Sequence, residues 1–297
     1  MKVFVTGATG FIGSRVTKEL IQGGHQVIGL TRSDEGAKTL TSLGATPFRG
    51  TLDNPESLRA GAVESDGVIH CAFDHDFSNF AANCEKDKAN IKVLADALKG
   101  SNRPLVITSG VGIGSQGGGK PALEDIFDEH HPNPRIASEY AAQAALELGV
   151  NVSVMRLPQV HDTVKQGLVS PLVQLAREKK VSAYIEGANN RWAAAHVLDV
   201  AHLYRLAFER AEKGARYNAV AEEGVSVKQI AETIGKGLNI PTVGLSMKEA
   251  EAHFGWMFMF AGLDLPASSE KTRRVLNWNP TGPDLITDLR NMDYSKV

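Results

Sequence analysis

Short apolar runs alternate with amphipathic stretches from the first residues of the chain onward. Val3-Phe4-Val5 is a strand-length run, and Ile12, Val16 and Leu20 then recur at helical spacing until Gly23-Gly24 stops the pattern. Gln26 to Leu30 is the next run, and Asp53-Asn54-Pro55-Glu56 has the spacing of a capping box, which predicts a helix start. Gly67 to Ala72 reads as a buried strand, Ile91, Leu94, Ala95 and Leu98 as one face of a helix, and Leu105 to Thr108 as the strand that follows. A long helix is expected from Ser138 to Leu148, ended by Gly149, with Val152 to Met155 as the next strand. Short apolar strands separated by helices imply right-handed βαβ units and a parallel sheet covered on both faces. The fold class is α/β, a doubly wound parallel sheet.

After about residue 157 the rhythm loosens, prolines punctuate the chain and helices dominate. Ser226 with Gln229, and Ser246 with Glu249, mark two further helix starts. Arg216 to Ala221 is a candidate to return a strand to the sheet, within a stretch from about 190 to 222 that supplies a strand and a helix. Gly110 to Gly119 holds six glycines directly after a strand end and reads as a flexible loop. In an open parallel sheet ligands sit outside the carboxyl ends of the strands, so this loop is placed to shape a site. Phe254, Trp256, Met257, Phe258, Met259 and Phe260 crowd what reads as one helix. That cluster packs a core, forms the interface of a homodimer, or lines a pocket for an apolar substrate.

Composition narrows the function classes. The 297 residues carry 32 basic and 34 acidic side chains, a net charge of −2 with no block of like charge, so no nucleic-acid partner is expected. Hydrophobic residues at 42% and charged residues at 22% suit a folded globular chain. The densest apolar stretch, Phe254 to Gly262, falls well short of the ~20 residues that span a bilayer. Nothing at the N-terminus reads as a signal peptide, so no membrane association is expected. The two cysteines, Cys71 and Cys84, lack metal or redox spacing, and no metal site is expected from the histidines. The expectation is a soluble protein of a reducing, cytoplasmic compartment.

The strongest chemical signal is Val5-Thr6-Gly7-Ala8-Thr9-Gly10-Phe11-Ile12-Gly13, which joins the first strand to the first helix. A glycine turn lets backbone approach a pyrophosphate, and a helix N-terminus offers it free N–H groups and a positive dipole end. The spacing G-x-x-G-x-x-G is one residue longer than the common dinucleotide fingerprint, and a turn built for helix–strand packing is the plainer alternative. At the end of the second strand an acidic residue would favour NAD(H) through the ribose 2′-hydroxyl, whereas arginine would pair a 2′-phosphate. Arg32 and Ser33 stand there, with Asp34 one step beyond, so NADP(H) is preferred and NAD(H) stays open.

Thr6-Gly7-Ala8-Thr9-Gly10-Phe11-Ile12-Gly13 resembles the opening of the extended short-chain dehydrogenases/reductases, a group that includes NAD(P)-dependent sugar epimerases and dehydratases. The likeness continues along nearly the whole chain. It implies a Rossmann domain over residues 1–160 and a smaller, mainly helical substrate-binding region over 161–297. It also places Leu52 and Asp53 near the cofactor adenine, Cys71 and Ala72 at a strand end lining the cofactor, and Ser109 at the position of the active-site serine. Val154 to Pro158, with Leu157, resembles the strand leading to the substrate, and His196-Val197-Leu198-Asp199-Val200-Ala201 the His-Val-x-Asp-Val-Ala signature.

At the family's Tyr-x-x-x-Lys pair the chain departs from the pattern. The register places Arg135 at the tyrosine position and Glu139 at the lysine position, the latter beside the cofactor. Arginine cannot give up a proton, and an i,i+4 Arg–Glu pair reads as a surface or pocket salt bridge of roughly a few tenths of a kcal/mol. Tyr140 is the next residue along, ~100° around the helix, and is either a packed tyrosine or a displaced acid. Ser109 either polarises a carbonyl or satisfies a strand-end backbone group. His161, after the strand ending at Pro158, is the preferred substitute proton donor and is expected at the substrate mouth; an ordinary loop histidine is the alternative. Asp199 is expected to cap the helix carrying Leu203, Tyr204 and Ala207. Arg191 stands where relatives contact a nucleotide-sugar phosphate, yet no second cation lies beside it. Together these features point to an NADP(H)-preferring oxidoreductase acting on a small or apolar aldehyde or ketone. A catalytically silent NAD(P)-binding sensor and a sugar epimerase or dehydratase are the alternatives.

Overall fold

The structure, a computed structural model, describes residues 1–296. Its first half runs β1 (Lys2–Thr6), α1 (Phe11–Gln22), β2 (Gln26–Thr31), α2 (Asp34–Ser42), β3 (Thr46–Arg49), α3 (Pro55–Val63), β4 (Gly67–His70), α4 (Phe80–Leu98), β5 (Pro104–Gly110), α5 (Ile136–Glu147) and β6 (Asn151–Leu157). The second half adds β7 (Gln159–His161), α6 (Val169–Lys179), β8 (Ser182–Ile185), β9 (Arg191–His196), α7 (Val197–Arg210), β10 (Arg216–Asn218), β11 (Glu222–Ser226) and α8 (Val227–Leu238). It closes with β12 (Thr242–Leu245), α9 (Met247–Phe254), α10 (Phe258–Ala261), α11 (Glu270–Leu276) and α12 (Leu285–Asn291). No helix among the described residues is long and apolar enough to cross a membrane.

Seven strands form one parallel sheet in the order β3-β2-β1-β4-β5-β6-β10. Strand alternation divides its core between two faces. Val3 and Val5 of β1 pack with Val16 and Leu20 of α1 and Leu203, Tyr204 and Phe208 of α7. Phe4, between them, points the other way, against Leu58 of α3, Ile91 and Leu94 of α4 and Ala141 of α5. Covering both faces explains why these strands read as unbroken apolar runs. The order reverses between β1 and β4, the point outside the strand ends where open parallel sheets of this kind form their ligand crevice. A second core, with Trp192, Ile230, Phe254 and Leu285, joins a three-stranded β11-β9-β7 sheet and a β12-β8 pair to α6, α8, α9 and α12.

Four local expectations are corrected. Asn54, not Asp53, caps α3: its side chain accepts from the Glu56 N–H with Pro55 in the first turn. His196, not Asp199, caps α7, accepting from Leu198 N–H; Asp199 instead takes the N–H groups of Thr281 and Gly282 at 3.0 and 2.8 Å. The glycine-rich loop is only half open. Gly110 belongs to β5, and the turn Val111–Gly114 is largely buried because Gly114 lies against Leu123 and Arg156, leaving 116–120 exposed. The aromatic stretch is not one helix, because α9 ends at Phe254 and Gly255 breaks the path with φ +53°. Phe254, Met257 and Phe260 then face the second core, while Trp256 and Met259 stay half exposed.

Candidate active site

The turn after β1 presses backbone on backbone. Gly7 has φ +68°, and a Cβ there would lie 2.8 Å from the Ala72 nitrogen at the end of β4. A Cβ on Gly13 would stand 2.1 Å from the Gly7 carbonyl oxygen, so α1 starts directly on the turn. Gly10 caps α1 without any side-chain bond, which leaves the first-turn N–H groups and the positive helix end facing the crevice. Thr9 and Gly10 are exposed at this turn, and Phe11 and Ile12 are half buried behind it. A cradle of this shape, closed to side chains and rich in free N–H donors, fits a dinucleotide pyrophosphate.

At the end of β2, Arg32 is exposed and makes no hydrogen bond or ion pair with any described residue. Asp34 pairs with Arg49 of β3, and the Ser33 hydroxyl oxygen accepts from Gly36 N–H at 3.1 Å as the cap of α2. Leu52 is half buried, and the exposed Asp53 pairs with Lys86 at 2.5 Å. Arg32 is thus a cation at this corner with no partner among the described residues.

Two buried polar networks lie under the crevice. In the first, Asp87 of α4 takes Arg135 Nη1 at 2.6 Å, the Ser138 hydroxyl at 2.7 Å and His70 Nε2 at 3.0 Å. His70 Nδ1 reaches the Thr6 hydroxyl at 2.7 Å, and that oxygen also accepts from Ala72 N–H at 3.3 Å. Burial pushes the Asp87 carboxyl up, but the Arg135 charge and the His70 and Ser138 bonds outweigh it and hold it at about 2. A carboxylate can only accept, so His70 Nε2 carries its proton. Arg135 also donates to the Thr108 carbonyl at 2.8 Å and lies 4.1 Å over the Phe73 ring.

In the second network, Glu139 is fully buried between two arginines. Arg156 bonds it twice, at 2.7 and 2.8 Å, Arg216 once at 2.9 Å, and the Ser109 hydroxyl donates to it at 3.0 Å. Arg156, also fully buried, continues to the carbonyls of Leu123 at 3.0 Å and Ile126 at 2.9 Å. Arg135 and Glu139 therefore do not pair, contrary to the i,i+4 expectation. Each has a better buried partner on a different element. Glu139, expected beside the cofactor, is 0% exposed and faces Arg156 instead.

The remaining expected site residues separate. Tyr140 is 37% exposed, donates to the Glu129 carbonyl and packs edge-on to Phe127. His161 is not at the mouth. It is 0% exposed in β7, with Nδ1 2.7 Å from Asp288 and Nε2 3.7 Å from Glu222. Cys71, Ala72 and Leu157 are half buried, the first two following β4 and the last ending β6. Burial pushes the Cys71 thiol up to about 12, so it stays protonated. Ser109 is 3% exposed and hydrogen-bonded within the second network. His70, Asp87, Arg156 and Arg216 were not anticipated from the sequence. The available signal was their polarity within otherwise apolar strand and helix faces.

A Rossmann sheet whose switch point carries a dinucleotide cradle, continued by a second core, defines an extended short-chain dehydrogenase/reductase. The chain belongs to the NAD dependent epimerase/dehydratase family, whose model matches residues 3–220. An uncharacterized protein of Schizosaccharomyces pombe is 42% identical over 295 residues, 99% of this chain and 100% of its own. A 4-hydroxy-2-methyl-3-oxo-4-farnesyl-3,4-dihydroquinoline-1-oxide ketoreductase of Stigmatella aurantiaca is 27% identical over 273 residues, 86% of this chain and 80% of its own. The crystal structure of Thermus thermophilus UDP-glucose 4-epimerase in complex with NAD superposes with a TM-score of 0.75 at 19% identity, covering 98% of this chain and 97% of that one. The chain is an NAD(P)-dependent oxidoreductase-like enzyme and an atypical member of this group.

Proposed function

We propose that the chain is an NADP(H)-preferring oxidoreductase that reduces an aldehyde or ketone. The observation that carries this reading is the uncapped first turn of α1, set behind a glycine turn too tight for any side chain and open to the β1/β4 crevice. In this reading residues 1–160 hold the cofactor and 161–297 shape the substrate pocket. Thr6, Gly7 and Thr9 to Gly13 take the pyrophosphate, Leu52 and Asp53 border the adenine, and Cys71, Ala72 and Leu157 border the nicotinamide. The bound dinucleotide supplies the hydride, and the protein positions the carbonyl and provides one proton. Likeness to a ketoreductase supports the reaction class. A nucleotide sugar is disfavoured because Arg191 is held by Asp264 at 2.8 Å and the Gly119 carbonyl at 2.9 Å.

Arg32 supports the preference for the 2′-phosphate, since Asp34 is neutralised by Arg49. Arg32→Ala is expected to weaken NADPH binding by about tenfold to a hundredfold, the worth of a charge-assisted hydrogen bond, and to leave NADH nearly unchanged. Equal losses for both in a fluorescence titration would sink the assignment. The broader test is consumption of NADPH and NADH across a panel of aldehydes and ketones. A second reading, a silent cofactor-dependent sensor, is favoured by the commitment of Arg135 and Glu139 to buried networks. Saturable cofactor binding without turnover of any carbonyl would select it.

A further inference from the structure

Arg135 and Glu139 are committed to buried networks, Tyr140 donates to the Glu129 carbonyl, and His161 is 0% exposed beside Asp288, so none of the four is free to move a proton to a substrate. Another titratable side chain, outside these networks, follows the end of β4. His75 lies in the segment that leaves the carboxyl end of β4, the strand bordering the switch point. Its Nδ1 is 3.1 Å from the Phe73 carbonyl oxygen, and since a carbonyl only accepts, Nδ1 carries a proton and Nε2 is left for chemistry. The ring packs edge-on to Phe73 at 5.3 Å, and Phe73 in turn lies under the Arg135 guanidinium at 4.1 Å. His75 is thus one aromatic ring away from the side chain that occupies the tyrosine position.

The segment is anchored at both ends. Phe73 is held beneath Arg135, and Phe77 stacks on Trp256 with ring centroids 5.2 Å apart and meets Phe260 edge-on at 5.9 Å. Asp76 fixes the turn between them by accepting from Ser78 N–H at 3.0 Å. His75 is therefore exposed but fixed in place, on a strap from the nucleotide-binding half to the second core. Three charges face it: Asp74 on its own segment, Arg135 at the start of α5, and Lys165 from the loop after β7. Lys165 also stands 6.0 Å from the Phe11 ring at the start of α1.

We infer that His75 is the proton donor and acceptor of the reaction, through Nε2. This rests on the carbonyl-reductase reading above. In the reducing direction the carbonyl carbon gains a hydride from the reduced dinucleotide, which is thereby oxidised. The C=O π pair moves to oxygen, an O–H bond forms as the Nε2–H bond of the His75 imidazolium breaks, and neutral imidazole remains. In the oxidising direction the bare Nε2 takes the hydroxyl proton. Crowding of the ring by Phe73 and Phe77, which strips water from its inner side although the residue is exposed, then the charges of Lys165 and Arg135, push the imidazole below its ordinary 6.5, against the Phe73 bond and Asp74. Reduction accordingly declines as pH rises through a midpoint below 6.5, and oxidation rises through the same midpoint.

The test is His75→Gln, which keeps a donor toward Phe73 but cannot titrate. Its kcat is expected to fall by about 10²- to 10⁴-fold, the worth of a general acid, with the pH dependence flattened, cofactor affinity retained and partial rescue by added imidazole. A variant with wild-type rate and pH profile overturns the proposal. A second readout needs no turnover: the His75 ring proton is titrated by NMR in complexes with the oxidised and the reduced dinucleotide, assigned by its loss in His75→Gln. The two cofactor forms differ in the positive charge of the oxidised nicotinamide, so the midpoint is expected to be lower in the oxidised complex. Equal midpoints overturn the proposal whatever the panel shows. A lower midpoint with no carbonyl turned over overturns the reductase reading and leaves His75 beside the nicotinamide. A chain that binds neither form overturns both.

Discussion

Restoring the family's lysine, Glu139→Lys, is expected to unfold the protein rather than repair it. The substitution removes the carboxylate that, among the described residues, bonds both Arg156 and Arg216, and places a third cation between them. Arg156 is 0% exposed, so water cannot reach it to compensate. Removing one partner from a buried pair costs about 3–5 kcal/mol, a large part of the roughly 5–15 kcal/mol that stabilises an ordinary domain. Added repulsion takes Glu139→Lys beyond that range. Glu139→Gln keeps the shape and stays nearer the lower bound, since its carbonyl oxygen still accepts from one arginine. Urea denaturation orders the series: wild type, then Glu139→Gln, then Glu139→Lys. A Glu139→Lys variant as stable as the parent would mean that the cluster is absent. Pairing Glu139→Gln with Arg156→Met, which removes both charges, is expected to be milder than Glu139→Lys, and the shortfall from additivity measures the coupling.

Asp87→Asn is the second large effect, and it has a pH signature. The amide is isosteric but neutral, so Arg135 loses its counter-charge while 12% exposed, and His70 faces a weaker acceptor. A loss of about 3 kcal/mol is expected at neutral pH. In wild type the carboxyl titrates at about 2 in the folded state against an ordinary 3.8. A depressed acid contributes stability that is full above the unfolded value and is lost as pH falls through the folded one. The contribution is about 2 kcal/mol, present above roughly pH 5 and gone near pH 2. The stability gap between wild type and Asp87→Asn, followed by thermal unfolding, is therefore expected to narrow as pH falls from 5 toward 2. A gap that stays constant over that interval would show that Asp87 is not the group being stabilised.

Much of the fold was legible because a sheet buried on both faces writes its strands as short apolar runs, and Val3 to Val5, Gly67 to His70 and Leu105 to Ile107 are all of that kind. The cradle was legible too, since the crowding of Gly7 against Ala72 and of Gly13 against Gly7 admits no other residue. What the two odd residues on α5 do was not. Arg135 meets a carboxylate 48 residues earlier, and Glu139 meets arginines 17 and 77 residues later, separations that no local pattern encodes. A partial signal existed at Asp87, which lies four residues before Ile91 on the stripe that Leu94 and Leu98 continue. A carboxylate on that buried face needs a cation. His161 misled because β7 is only three residues long, too short to show that it turns inward beside β9 rather than out to a loop. His75 carried no pattern at all, because its setting comes from an aromatic strap whose far anchors, Trp256 and the core residue Phe260, lie about 180 residues further along the chain.

That strap also gives the molecule a built-in optical gauge. Of its three tryptophans, Trp192 and Trp278 are 0% and 2% exposed, while Trp256 is 50% exposed and stacked on Phe77. Emission excited at the red edge of the spectrum comes mainly from the solvated ring, and iodide quenches that ring alone. Any displacement of residues 73–80 by an incoming molecule must change the contact on its face. The intrinsic colour of the protein thus follows a segment that reaches from the end of β4 to the second core, with no label attached.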